Sequence, residues 1–401
     1  MRKRVLLVAY PLLPVSEASA GGAEQILWTL ERELATRGWK TSVAACAGSK
    51  ISGELIVTDW GREKESQSQS QKQSQSQKQS QSQKQSQSQK QSQSQQPQVS
   101  QKRANLAHPQ HPQHPQDSGH TEGARVLDDF EEREREHAER VVAACRDDKF
   151  DLVLDHSGHF FRHARRVEAM VLATLHLPRE LYAAGALDEV AGNVCFNCVS
   201  DSQRSTFMDV QRVLGVVRNG IALERFQVGG RKTDGLLWLG RICPEKAPHL
   251  AIEAAKRAGL PIVLVGQVYP FQWHMDYWER EVKPRIDGGR VRWVPLPSFA
   301  EKTRLLREAR ALLVTSQVSE TTSLVALEAM ASGTPVIAFK IGALEAVVPK
   351  CAGILVQSVE EMAEACGAVE GIRAEACREW VEREYSAKAM ADGYEELMGR
   401  L

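Results

Sequence analysis

The chain has 401 residues, 51 of them basic and 51 acidic, so its formal net charge is zero. A balanced charge supplies no global field to draw nucleic acid or an anionic membrane, and no apolar run reaches the about 18–20 residues that a membrane span needs. The eight cysteines are scattered, mostly within apolar stretches, which argues against a disulfide framework and favours a reducing, cytoplasmic compartment.

The first residues, Met1 to Ala20, imitate an export signal, with Arg2, Lys3 and Arg4 before Val5–Ala9 and small residues at Ala18, Ser19 and Ala20. Pro11 and Pro14 would interrupt an export helix. Val5–Ala9 is therefore read as a buried first strand. Apolar residues at Ile26, Leu27, Leu30 and Leu34 have helical spacing and predict a helix over Gly22–Arg37, stopped by Gly38. Thr41–Cys46 reads as a strand. Val126–Arg146 reads as an amphipathic helix whose Glu/Arg run, from Glu131 to Arg140, is a solvated face. Strands follow at Asp151–Asp155, Val171–Leu175, Val194–Val199 and Val213–Val217.

A second series begins with a strand at Leu236–Leu239. It continues with a helix at His249–Ala258, strands at Pro261–Val265 and Val291–Val294, and a helix at Lys302–Ala309. A strand at Ala311–Thr315, a helix at Leu324–Ala331 and a strand at Pro335–Phe339 complete it. Short apolar runs bounded by Gly or Pro and alternating with helices predict α/β folding with parallel sheets covered on both faces. Two series predict two doubly wound, Rossmann-like domains facing a cleft, with ligands beyond the C-terminal strand ends.

Residues 65–123 break this pattern. Lys72, Lys78, Lys84 and Lys90 recur at a period of six in a Ser-Gln background, and His-Pro-Gln repeats start at His108, His111 and His114. Such a segment buries too little apolar surface to offset its ordering entropy, so the insert is expected to be disordered. A surface loop tolerates it because closure entropy grows slowly with length.

Four groups of residues carry chemistry. In Leu239-Gly240-Arg241-Ile242-Cys243-Pro244-Glu245-Lys246, a basic pair follows a strand, where a planar guanidinium and a compact ammonium can converge on one anion. Gly240 lets the backbone approach closely. In Glu320-Thr321-Thr322-Ser323-Leu324, the hydroxyl residues can cap the next helix, whose free N–H groups suit a diphosphate. Glu320 before that helix and Glu328 within it can grip hydroxyls at separated points of one ligand. Glu328 lies among Leu327, Ala329 and Met330, so it needs a partner. Gly21-Gly22 opens the first helix and permits close approach of a phosphate or sugar. His156, His159 and His176 follow buried strands, where an imidazole can donate to a hydroxyl or phosphate oxygen. Their spacing with Asp155 fits no metal motif, and Cys195-Phe196-Asn197-Cys198 lacks a second ligand pair, so no metal is assigned and these thiols are read as structural.

In this order the residues resemble the retaining GT-B glycosyltransferases, most closely family 4. The resemblance is carried by Gly21-Gly22, His176, the run Arg218–Phe226, Gly240-Arg241 with Lys246, Glu320 with Glu328, and Ile341–Glu345. It covers nearly the whole chain outside the insert and is most specific in the C-terminal half. It implies an N-terminal acceptor domain over residues 1–215 and a nucleotide-sugar-binding domain over 216–385. It also implies a last helix, residues 386–401, crossing back to the first domain. Arg241 and Lys246 would bind the donor diphosphate, Glu320 the donor sugar and Glu328 the ribose. Thr321, Thr322, Ser323 and Leu324 would meet the sugar and phosphate, Gly22 would permit closure, and His176 would line the reacting centre. The family's frequent Pro-Phe-Gly is here Thr321-Thr322-Ser323, and Ala222 stands where Asp is usual.

The implied activity is retaining, metal-independent transfer of a sugar from a nucleoside-diphosphate donor to a hydroxyl of an unknown acceptor, with no cofactor. UDP-glucose leads as donor, with GDP-mannose and UDP-N-acetylglucosamine open. The acceptor is a small molecule, a glycan or a lipid; the lack of a strong basic amphipathic surface helix favours a soluble one. Alternatives are a catalytically dead GT-B scaffold, another nucleotide-sugar enzyme of this fold such as an epimerase, and an NAD-dependent oxidoreductase. The last needs Gly-x-Gly-x-x-Gly after a first strand, and neither half has it.

Overall fold

The computed structural model describes residues 3–17, 19, 21–58, 122–183, 185–295 and 297–401. The Lys-Ser-Gln and His-Pro-Gln repeats, and with them the expected disorder of the insert, lie outside the described residues. Residues 1–58 and 138–401 form one compact unit, and residues 59–137 group separately.

Within the larger unit, strands β1 (Arg4–Val8), β2 (Lys40–Ala45), β3 (Glu54–Val57), β4 (Leu152–Asp155), β5 (Met170–Leu175), β6 (Val194–Cys198) and β7 (Val213–Val216) form one sheet. Its order is β3-β2-β1-β4-β5-β6-β7, and each pairing is parallel. Strands β8 (Leu236–Leu239), β9 (Ile262–Val265), β10 (Val291–Val294), β11 (Leu312–Val314), β12 (Val336–Phe339) and β13 (Gly353–Val356) form the second. Its order is β10-β9-β8-β11-β12-β13, again all parallel.

Alternation along each strand buries both faces. In β1, Val5 and Leu7 pack on one side while Leu6 and Val8 pack on the other. Cys195 and Cys198 likewise fall into the cores on opposite faces, both as free thiols. In the second sheet Leu237, Leu312 and Ala338 face one core and Trp238, Leu313 and Ile337 the other. Sheets covered on both sides are the setting in which parallel strands occur.

The strand orders place a topological switch between β1 and β4 and a second between β8 and β11, where ligands bind in doubly wound sheets. The last helix, Ala387–Met398, packs Met390, Ala391, Tyr394 and Leu397 into the same core as the Gly22–Thr36 helix. Arg37 ties the two helices by pairing with Asp392 at 2.8 Å and Glu395 at 2.5 Å. Ile221 and Ser386 form an isolated parallel bridge where the chain passes between the sheets. Among the described residues, no helix is long and apolar enough to cross a membrane.

Candidate active site

The loop after β8 carries Gly240, Arg241 and Lys246, and the loop after β11 carries Ser316 and Glu320. These two strands flank the second switch point, so the loops converge. The ammonium of Lys246 forms an ion pair with Oε1 of Glu320, and the Ser316 hydroxyl donates to the same oxygen. Three residues from two strand ends thus meet on one carboxylate atom.

Two further supports hold this cluster. The backbone N–H of Ala343 donates to the Glu320 carbonyl at 2.8 Å. Beside it, Gly342 has φ +57°, and a Cβ there would lie 2.6 Å from the Glu320 oxygen and 2.7 Å from its nitrogen. Only glycine satisfies both the left-handed backbone and that approach. On the other side Thr315, at the end of β11, accepts from the Trp238 indole at 3.0 Å and donates to the carbonyls of Lys246 and Ala247.

Arg241 is exposed, with its guanidinium 5.9 Å from the centre of the Tyr269 ring. Glu328 is buried within the Leu324–Ala331 helix. Its partner is Lys302, whose Nζ lies 2.7 Å from Oε1. The pair explains how an acid sits among Leu327, Ala329 and Met330.

The helix start differs from the capping expected for Thr321, Thr322 and Ser323. Ser323 occupies the N-cap position, yet its side chain accepts no capping hydrogen bond. The Thr321 hydroxyl donates to the His176 carbonyl at 2.9 Å, and the Thr322 hydroxyl donates to the Thr321 carbonyl at 2.8 Å. Ala326 and Leu327 donate to the Ser323 carbonyl. The hydroxyls are spent on a link to the other sheet and on the loop itself. Helix starts without side-chain caps leave N–H groups for an anion.

Across that link, His176 follows β5 and His156 follows β4. His156 Nδ1 and His176 Nε2 are 3.0 Å apart. Burial pushes the His176 imidazole down to about 4. Burial, with His176 alongside, holds His156 well below its ordinary value. Both rings are neutral at physiological pH and act through hydrogen bonds. Asp155 instead holds the following loop, accepting from the backbone N–H groups of Ser157 and Phe161 and from the Ser157 hydroxyl at 2.6–2.8 Å.

Gly21 precedes the Gly22–Thr36 helix, and a Cβ on it would lie 1.9 Å from Oε2 of Glu24. Glu24 is buried, which raises its carboxyl above the usual range. A Cβ on Gly22 would meet Leu324 of the second sheet's helix at 3.3 Å, so Gly22 marks where the halves approach. Sequence reasoning did not single out Ser316, Lys302 or His156's pairing with His176. Ser316 carried no motif signal; Lys302 sat on a predicted helix whose facing side chains only the packing reveals.

The comparisons with known proteins follow this geometry. Residues 233–369 match the family described as Glycosyl transferases group 1. A D-inositol 3-phosphate glycosyltransferase of Frankia alni is 33% identical over 200 residues, 43% of this chain and 48% of that protein. The match thus spans about half the length of that relative. Sucrose-phosphate synthase from Thermosynechococcus elongatus superposes with a TM-score of 0.69 at 18% identity, over 100% of this chain and 99% of that one. Anabaena HepE in complex with UDP and glucose superposes with a TM-score of 0.67 at 14% identity, over 100% of both chains. At such identities the superpositions speak for the fold alone. Residues 233–369 thus match a glycosyltransferase group 1 domain, and the chain that carries them has the two-sheet GT-B fold.

Proposed function

We propose that the protein is a retaining glycosyltransferase that moves a sugar from a nucleoside-diphosphate donor, UDP-glucose first among them, to an acceptor hydroxyl. The observation that carries this reading is the Lys246–Ser316–Glu320 cluster at the switch point of the second sheet. The group 1 match over the same residues supports it. So does HepE, whose crystal structure is a complex with UDP and glucose.

In this reading Arg241 and Lys246 take the diphosphate, and Lys246 exchanges its carboxylate partner for phosphate. Glu320, released, accepts hydrogen bonds from the donor sugar's hydroxyls. Glu328, with one oxygen on Lys302, offers the other to the ribose. Thr321, Thr322, Ser323 and Leu324 present backbone to the sugar and phosphate. Departure of the nucleoside diphosphate builds negative charge, and fixed cations with a helix end stabilise it without reorganising. The bond from the anomeric carbon to the phosphate oxygen breaks, the acceptor oxygen bonds that carbon from the same face, and the acceptor proton passes to the leaving phosphate. His176 lines the reacting centre as a neutral hydrogen-bonding group. Arg241, Lys246 and the helix end carry the charge, so the step calls for no metal or cofactor. A reducing, cytoplasmic setting accords with eight cysteines that are all free thiols.

Turnover of UDP- and GDP-sugars, with the anomeric configuration of the product read by NMR, tests the proposal. Wild type should turn over one donor with retention, and Lys246→Ala and Glu320→Ala should do so far more slowly. If wild type neither binds nor consumes any nucleotide sugar, the transferase reading fails and the scaffold reading stands.

A further inference from the structure

Cys243 and Glu245 sit on the same loop as Arg241 and Lys246, but their side chains serve another purpose. One ligand atom each from Cys243, Glu245 and His274 lies within 4.8 Å of the others. His274 belongs to the Gln272–Tyr277 helix that follows β9. Cys243 and His274 are buried, with 0% and 1% exposure. Glu245 Oε2 and His274 Nδ1 are buried and have no hydrogen-bond partner among the described residues. A buried polar atom left without a partner costs about 1–3 kcal/mol, so two at one spot, beside a thiol, call for something that satisfies both.

We propose that Cys243, Glu245 and His274 bind a zinc ion that clamps the Arg241–Lys246 loop to the Gln272–Tyr277 helix. Sulfur, imidazole nitrogen and carboxylate oxygen are zinc's ligands. Its bonds of about 2.0–2.3 Å set neighbouring ligand atoms about 3.3–3.8 Å apart in a tetrahedral shell. These three atoms, now within 4.8 Å of one another, would close to that spacing on binding. Binding displaces the thiol proton to solvent and leaves a thiolate on the metal. Magnesium and calcium prefer oxygen ligands and are disfavoured by the sulfur. The ion takes no part in bond making. It joins loops after two adjacent strands, β8 and β9, and so fixes the backbone between Arg241 and Lys246. The proposal does not rest on the transferase reading.

The test is zinc content of the full chain, purified without an affinity tag and titrated against a chromophoric chelator. Wild type should hold stoichiometric zinc resistant to mild chelation, and Cys243→Ser and His274→Ala should lose it. Lys246→Ala, which strikes the donor site, should keep it. The His-Pro-Gln repeats remain in every variant, so their histidines cannot account for a difference. Cobalt substituted into wild type gives a thiolate-to-metal charge-transfer band, which histidines alone cannot produce, and this readout stands even if a variant misfolds. Zinc should also slow amide exchange across residues 241–246 and 272–277. Wild type that holds no zinc, zinc retained by both ligand variants, or cobalt without the thiolate band would each overturn the proposal.

Discussion

Lys246 and Glu320 leave the ends of two neighbouring strands, β8 and β11, and meet as an ion pair that Ser316 completes from its hydroxyl. Each charge is held in place by the other and by the loop backbone. In the proposed reading a diphosphate entering here meets an ammonium already fixed in position, and its arrival frees the carboxylate for a sugar. Lys246→Ala should therefore lower donor turnover by about 100-fold or more. Glu320→Gln, which keeps shape but not charge, should lower it less. Steady-state kinetics of both variants decide this, and near-wild-type turnover in Lys246→Ala would refute the assigned role.

Gly342 makes a separate prediction about the same loop. Its left-handed backbone and its contact with the Glu320 peptide leave no room for a side chain. Gly342→Ala should push the Glu320 loop away, lowering turnover and costing about 1–3 kcal/mol of stability. Turnover and a denaturant melt measure the two effects. An alanine variant with both unchanged would show that the approach is not a constraint.

The Lys302–Glu328 pair should behave as a buried ion pair. Lys302→Met strands the Glu328 carboxylate and should cost about 3 kcal/mol. Adding Glu328→Gln should recover much of that loss, because the stranded charge is gone. Denaturant melts of the single and double variants test this, and equal instability in both would contradict it.

The histidine pair predicts an acid response. The folded chain holds His176 at about 4, against 6.5 ordinarily, and His156 well below 6.5. Between those values the unfolded chain binds more protons than the folded one, so stability falls as pH drops through that window. Above about pH 6.5 the contribution is fully present. The melting temperature should thus decline from pH 7 toward pH 4.5, and more shallowly in His176→Gln. Parallel declines in the two proteins would remove the histidine explanation.

The composition of residues 66–116 predicts that their deletion leaves melting temperature and turnover unchanged, because they offer little apolar surface to bury. A circular-dichroism melt and a donor assay of the deletion variant check this. A large loss of either would give the tract a role.

Much of the fold could be read from the chain. Val5–Ala9, Leu236–Leu239, Leu324–Ala331 and most other elements are short apolar runs with sharp punctuation, and their observed bounds lie within a few residues. The Lys302 helix starts earlier, at Phe299, because Ser298 caps it by accepting from the Glu301 N–H at 3.1 Å. Strands β3 and β13 escaped notice: Glu54–Val57 is a half-exposed edge strand, and Gly353–Val356 is short and opens on glycine. Phe160–Arg166, basic at Arg162, His163, Arg165 and Arg166, is a tight 3-10 segment rather than an α-helix. At the site, residue type and spacing marked Arg241, Lys246, Glu320 and Glu328. Their partners Ser316 and Lys302 depend on which loops and helices face one another, and local pattern does not encode that.

The central claim is that the loops after β8 and β11 bind a nucleotide sugar. It is tested most directly by thermal shift of wild type and Lys246→Ala against UDP, UDP-glucose, GDP-mannose and UDP-N-acetylglucosamine. A ligand that binds only the folded state raises apparent stability, by about 2.7 kcal/mol at a hundredfold excess over Kd. The account predicts a rise in melting temperature with one nucleotide and its sugar, lost in Lys246→Ala. No shift with any of them, or the same shift in the variant, would contradict it.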